Sequence, residues 1–208
     1  LDYHKSYKDY LDAKLHLFRK LLTKDSNIIT DLDIREYKKI KSIALRKKLK
    51  LHTISNKFAD LSIISHRYAG EKQHVKIKYK KKIYNFELNL IGKVQIKNVL
   101  MSMIASHKSN IDFKNIINSI HKIKPAYGRL EKVGSIKNNS SVILDYAHTP
   151  DALRTCLQNI KDQFKNKKIS IVFGCGGDRD KFKRPIMGNI VNNLCDKIFL
   201  TDDNPRGE

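Results

Sequence analysis

The stretch from 141 to 201 constrains the fold more than any other part of the chain. Three short apolar runs, SVILDYA, KISIVFGCGG and KIFLTD, alternate with two helical patterns, HTPDALRTCLQNIKDQF and PIMGNIVNNL. Strand–helix–strand–helix–strand with short joins predicts an α/β layer with a parallel sheet and right-handed crossovers. The first helix carries its own start signal, with Thr149 as N-cap, Pro150 at the first helical position and Asp151 in the first turn. Sheets of this kind bind ligands at the carboxyl ends of their strands. All three runs end in unusual polar sequence: DYAHTPD, GCGGDRDKFKR and TDDNPR.

Upstream, the periodicity changes. Residues 6–22 follow a helical rhythm through Tyr7, Tyr10, Leu11, Lys14, Leu17, Phe18, Leu21 and Leu22, with Lys14 as the one charged member of the apolar stripe. Residues 25–70 are mixed, and the runs at 27–30 and 61–65 read as strands. HVKIKYKKKIYNFELNL predicts a hairpin, with Val75, Ile77 and Tyr79 alternating against lysines before the turn, and Tyr84, Phe86, Leu88 and Leu90 after it. Two helices are expected near 95–107 and 112–123. Asp112 would cap the second and turn Phe113, Ile116, Ile117 and Ile120 inward. The pattern breaks at Pro125 and Gly128, which divides the chain into 1–124 and 125–208.

Composition narrows the class. At 208 residues and 40% hydrophobic content the chain can bury one core of good size or two small ones. No apolar run approaches the length of a membrane span. The formal charge of +21 suggests nucleic acid, yet the lysines are spread along the whole chain together with abundant Ile and Asn. That pattern fits drift in the coding sequence, and arginine, which forks phosphates and bases, is scarce beside lysine. Cys156, Cys175 and Cys195 are too few and too far apart for a disulfide framework or a zinc module, which fits a reducing, cytoplasmic setting. The start, LDYHKSYKDY, has neither an initiator Met nor a signal peptide, so the sequence reads as a piece of a longer chain.

Each polar strand end has a chemical and a plain interpretation. GCGGDRDK lacks the Gly-Lys-Ser/Thr ending of a phosphate loop and the Rossmann spacing. Its glycines 174, 176 and 177 would let the backbone turn beneath a ligand, with Arg179, Asp180 and Lys181 above it; an ordinary loop is the alternative. In DYAHTPDAL, Asp145 could take ribose hydroxyls and the helix start could favour an anion, while His148 serves chemistry or packing. In TDDNPRGE, Arg206 can fork a carboxylate, while Asp203 and the Asn204 amide oxygen can accept from an ammonium group. A zwitterionic amino acid satisfies that set; a salt-bridged turn with Pro205 as spacer is the alternative. Lys14 either snorkels or, partly buried with a lowered pKa, adds carbon dioxide to form a metal-binding carbamate.

Together, LDYHKSYKDYLDAKLHLF, GKVQIKNVL, YGRLEKV, DYAHTPDAL, GCGGDRDKFKRPIMG and TDDNPR occur in the order and spacing of the Mur ligases. The chain resembles that family over nearly its whole length, and within it the members that add meso-diaminopimelate. The resemblance implies the rear of a central P-loop-type ATPase domain over 1–124 and the front of a Rossmann-like domain with a parallel sheet over 125–208. It implies ATP-dependent amide formation: ATP phosphorylates the D-glutamyl carboxylate of UDP-MurNAc-L-Ala-D-Glu, and the diaminopimelate amine attacks the acyl phosphate. A tetrahedral intermediate then expels phosphate. Mg2+ is the implied cofactor, and Lys14 matches the catalytic lysine whose carbamate helps hold it. Asn98, Arg129, Asp145 and His148 fall at ATP, with Arg129 toward the phosphates and Asp145 toward the nucleoside. Arg179, Asp203, Asn204, Pro205 and Arg206 fall at diaminopimelate.

The sequence departs from the family in places. Gln95 replaces a family Asn. Three family features are not found in the sequence: the Gly-Lys-Thr loop, a metal-binding His just before Leu1, and a later Gly-Lys-Gly-His-Glu-like stretch. The 208 residues alone are therefore expected to show no turnover. The resemblance implies a monomer without nucleic-acid or membrane partners. Relatives acting on lysine or glutamate, and a basic nucleic-acid-binding protein, are the alternatives.

Overall fold

In the computed structural model, which describes residues 4–208, the chain divides into two units. One runs to Ala69 and takes in Gln73–Leu88 and Gln95–Ile123; the other comprises Gly70–Lys72, Asn89–Val94 and Lys124–Glu208.

The first unit opens with helix α1 (Tyr7–His16), capped by Ser6, whose hydroxyl accepts from the Asp9 amide at 3.1 Å. Residues Leu17–Leu21 continue it as a π-turn. Its buried stripe is Leu11 and Leu15, extended by the partly buried Phe18 and Leu22. These pack on Ile28 of β1 (Asn27–Asp31), on Ile40, Ile43 and Ala44 of α2 (Tyr37–Arg46), and on Leu49. This corrects the sequence expectation for Lys14. The stripe runs through Leu15, one position further on, and Lys14 is exposed, its ammonium 5.3 Å from the centre of the Tyr10 ring.

The sheet of this unit has the order β1-β2-β3-β4-β5, with β2 Lys50–Ser55, β3 Leu61–Ala69, β4 Lys72–Tyr79 and β5 Lys82–Leu88. The β1–β2 and β2–β3 pairs are parallel and β4–β5 is antiparallel, so the expected hairpin is present, with Val75 opposite Phe86 and Ile77 opposite Tyr84. Its turn residues, Lys80 and Lys81, both have positive φ (47° and 65°), the twist that tight two-residue hairpins require. Helix α3 (Val94–Lys108) buries Ile96, Leu100 and Ile104, and the sheet buries Ile54, Leu61, Ile77 and Leu88. Each such side chain contributes about 1.5–3 kcal/mol by leaving water. Helix α4 (Phe113–Ser119) starts at Asp112 as expected, its carboxylate accepting from Lys114 and Asn115 amides.

The second unit begins with a hairpin of β6 (Glu131–Ile136) and β7 (Ser140–Leu144). Here the structure departs from expectation. The SVIL run does not join the parallel sheet; it folds back on β6 through Lys137–Asn139, where Asn138 takes a left-handed conformation (φ 66°). Among the described residues of this unit, the parallel ladder is that of β8 (Ser170–Phe173) and β9 (Lys197–Leu200). Helices α5 (Pro150–Gln163) and α6 (Lys183–Leu194) bury Leu153, Leu157, Met187, Ile190 and Val191 around Ile169. The Thr149 hydroxyl accepts from the Ala152 amide at 3.3 Å, and Pro150 stands at the first turn, as the sequence requires. Gln163, itself buried, accepts from the Gly92 amide at 2.8 Å and donates to the Gly70 carbonyl at 3.0 Å. That one amide ties both short segments, 70–72 and 89–94, into this unit. Among the described residues no helix is long and apolar enough to cross a membrane.

Candidate functional site

The carboxyl ends of β7, β8 and β9 lead into three polar loops that are bonded to one another. After β8, the chain turns through Gly174, Gly176 and Gly177 directly against the segment that follows β9. A Cβ on Gly174 would lie 2.3 Å from the Thr201 carbonyl oxygen, and one on Gly177 would lie 1.8 Å from that of Pro205. No side chain fits at either place, so glycine here is a packing requirement rather than a sign of looseness. The Gly177 amide donates to the Asn204 carbonyl at 2.8 Å, and the Gly207 amide donates to the Asp178 carboxylate at 3.2 Å. The third loop joins through Lys183, whose ammonium donates to the His148 carbonyl at 3.0 Å.

Held in this way, residues 203–206 present their side chains to solvent. Arg206 adopts φ 54°, and its amide donates to the Asn204 side-chain oxygen at 3.3 Å, which closes a small turn around Pro205. Arg179 is exposed on the neighbouring loop. The five residues expected at the amino-acid site therefore fall on two loops that the backbone locks together.

Asp145 ends the β7 strand half-buried, and both its oxygens are used: Oδ2 accepts from the Leu130 amide and Oδ1 from the Ala147 amide, each at 2.9 Å. The carboxylate thereby anchors Arg129 and Tyr146 beside it. The Arg129 guanidinium lies 4.9 Å from the centre of the exposed Tyr146 ring, and the His148 ring sits 5.1 Å away on an edge contact. Arg, Tyr and His so grouped form a flat, cationic surface suited to an aromatic or phosphate-bearing group. Tyr146 was not singled out in the sequence, although it lies inside DYAHTPD. Beneath it, burial pushes the Cys156 thiol up to about 12, with Asp145 adding to the shift, so this cysteine is inert.

Lys14 and Asn98 belong to the first unit, on α1 and α3. Asn98 is exposed, and its amide donates to the Gln95 side-chain oxygen at 3.2 Å, so the two residues form one polar patch on the first turn of α3. Their neighbour Lys97 reaches the ends of the parallel strands: its ammonium lies 2.5 Å from Asp31 Oδ2 and 3.1 Å from Asp33 Oδ2. Asp33 also accepts from the Ser55 hydroxyl at 2.9 Å. Among the described residues no three His, Cys, Asp or Glu side chains come together as a metal site.

Comparison with known proteins identifies the family. The Mur ligase middle domain matches residues 1–106, and the Mur ligase glutamate ligase domain matches residues 128–208. The chain belongs to the Mur ligase family. A relative from Rickettsia bellii, named UDP-N-acetylmuramoyl-L-alanyl-D-glutamate–2,6-diaminopimelate ligase, is 38% identical over all of this chain. The chain spans 43% of that relative's length. A solved structure of a 2,6-diaminopimelate ligase of the same name is similar with a TM-score of 0.69 and 28% identity, covering 98% of this chain and 42% of that one. The MurF ligase of Thermotoga maritima, solved with ADP, shares the fold at a TM-score of 0.70 and 12% identity, covering 95% of this chain and 48% of that one.

Proposed function

We propose that this chain is part of an ATP-dependent ligase that adds meso-diaminopimelate to UDP-MurNAc-L-Ala-D-Glu in peptidoglycan precursor synthesis. The observation that carries the reading is the locked pair of loops after β8 and β9, which presents an arginine, a carboxylate and an amide on one short segment. Arg206 would take the distal carboxylate of diaminopimelate as a bidentate pair, and Asp203 with the Asn204 oxygen would take its ammonium. Arg179 lines the same segment, and Pro205 limits the segment's freedom. Held there, the incoming amine is positioned rather than activated, and its gain is that of orientation.

Arg129, Asp145 and His148 would meet ATP, with Tyr146 as the face beneath; on the first unit, Asn98 and Gln95 are the positions that the family resemblance assigns to ATP. Gln95 offers the same amide as the family Asn on a longer stem. ATP supplies the phosphoryl group that turns the D-glutamyl carboxylate into an acyl phosphate. Lys14 matches the family lysine whose carbamate would be one oxygen ligand of Mg2+. That suits an ion that keeps waters and substrate phosphates and asks for only one or two carboxylates. The free cysteines at 156, 175 and 195 accord with a reducing cytoplasm, where the ligase would act as a monomer.

Diaminopimelate differs from lysine by the distal carboxylate. A site that pairs that group rejects the analogue lacking it by up to roughly four to five decades. The test is phosphate release by the full-length protein with ATP, UDP-MurNAc-L-Ala-D-Glu and each of diaminopimelate, lysine and glutamate. Turnover with diaminopimelate alone is the expected result; equal turnover with lysine would remove Arg206 from its role.

A further inference from the structure

We infer that Arg184 and Glu208 form a positioning pair that sets the conformation of the 203–206 segment and with it the fit of the amino-acid substrate. The inference rests on the reading of 203–206 as the amino-acid contact. Glu208 is the point on which the neighbouring loop converges. Its Oε2 accepts from Arg184 Nη2 at 2.6 Å, and its Oε1 accepts from the Asp178 amide at 3.0 Å, with the Lys181 ammonium 3.3 Å away. The Arg184 hydrogen bond leads the causes that hold the Glu208 carboxyl below the usual carboxylate range.

The segment is thus pinned at three places. The Gly177 amide holds the Asn204 carbonyl, the Asp178 carboxylate holds the Gly207 amide, and three groups hold the Glu208 carboxylate. Between the first two pins lie Pro205 and Arg206. Arg206 sits there at φ 54°, a conformation that non-glycine residues keep only where their surroundings impose it. Arg184 is rooted in the first turn of α6, and its Nε is buried without a hydrogen-bond partner. The Glu208 contact is therefore what fixes its guanidinium, and the link transmits the position of α6 to Arg206.

The pair also sets local charge. Glu208 occupies two cations, Arg184 and Lys181, that would otherwise compete with Arg206 for a substrate carboxylate. Without it the segment loses one pin and gains two free positive charges nearby, so both affinity and discrimination suffer while the ATP side is untouched.

Steady-state kinetics of the full-length ligase test this with Glu208→Gln, Glu208→Asp and the swap of Arg184→Glu with Glu208→Arg. Glu208→Gln is expected to raise KM for diaminopimelate at least tenfold and to narrow the preference over lysine, with KM for ATP within twofold of wild type. Glu208→Asp, which keeps the charge, should recover part of the loss, and the swap should recover more than either of its single changes. An unchanged KM for diaminopimelate in Glu208→Gln, or an equal rise in KM for ATP, would overturn the inference. If wild type turned over a different amino acid, the diaminopimelate reading would fall. The pair would stand if the same KM split appeared for that amino acid.

Discussion

Two sets of parallel strand ends in this molecule carry acids, and they are built in opposite ways. At the ends of β1 and β2, Asp31, Asp33, Lys97 and Ser55 satisfy one another, and Asp31 is nearly buried. After β8 and β9, the backbone does the holding, and the side chains of Asp203, Asn204 and Arg206 are left exposed. Charges that pair internally stabilise a fold; charges held out by a rigid backbone are available to a ligand. The residue types are similar in the two places, so composition alone does not separate a structural cluster from a site. What separates them is which groups the backbone bonds consume.

This contrast can be broken most forcefully at Gly177. A Cβ there meets the Pro205 carbonyl at 1.8 Å, so Gly177→Ala must push the loops apart. The expected outcome in the full-length protein is a stability loss of about 3 kcal/mol together with loss of diaminopimelate binding, read by denaturant unfolding and by calorimetry. Next in size is Lys97→Met. It leaves Asp31 with its charge nearly buried, which costs about 2–3 kcal/mol, below the full figure for a buried pair because some water reaches Lys97. Here unfolding should shift while KM for diaminopimelate does not, the reverse of what Glu208→Gln should do.

Acid should weaken the first cluster. Burial pushes the Asp33 carboxyl up, but Lys97, Ser55 and Asn56 together outweigh it and hold it below its ordinary value of 3.8. A carboxylate with a lowered folded pKa adds stability that is fully present above its unfolded pKa and lost as pH falls through the folded one. Stability from this cluster should therefore fade below about pH 4, and Asp33→Asn should flatten that part of the profile. The smallest effect on stability belongs to Lys14→Ala. An exposed lysine on a helix should change stability by less than about 0.5 kcal/mol, while turnover in the full-length ligase should collapse if its carbamate holds the metal. Bicarbonate-dependent activity in wild type, absent from the variant, checks it.

The sequence was legible where one physical rule acted alone. The β4–β5 hairpin followed from strict alternation, and the caps at Asp112 and Thr149 from residues whose side chains can take orphan amides. Helix α2 is not legible in the sequence, because its buried Ile40, Ile43 and Ala44 are interleaved with lysines in a chain where lysine is everywhere. The periodicity points to Lys14 because the spacing from Tyr10 and Leu11 admits it, whereas the buried member is its neighbour Leu15. The partner of β7 could not be read either, since an apolar run of that length fits a parallel or an antiparallel neighbour, and the reversal hinges on Asn138 alone. In the site, the motif order pointed to the three loops. That two of them meet through glycine contacts and the third is held by Lys183, and that Asp145 spends both oxygens on backbone amides, are matters of tertiary geometry that no periodicity carries.

The central claim is that the segment after β9 is the clamp for an amino acid with two acid groups. The direct measurement is the ratio of kcat/KM for diaminopimelate to that for lysine in the full-length ligase, in wild type and in Arg206→Ala. Removing one partner of a desolvated charge pair costs about 2–5 kcal/mol, so the ratio should fall by about thirtyfold or more, with KM for ATP within twofold. A ratio that stays the same in Arg206→Ala would contradict the account.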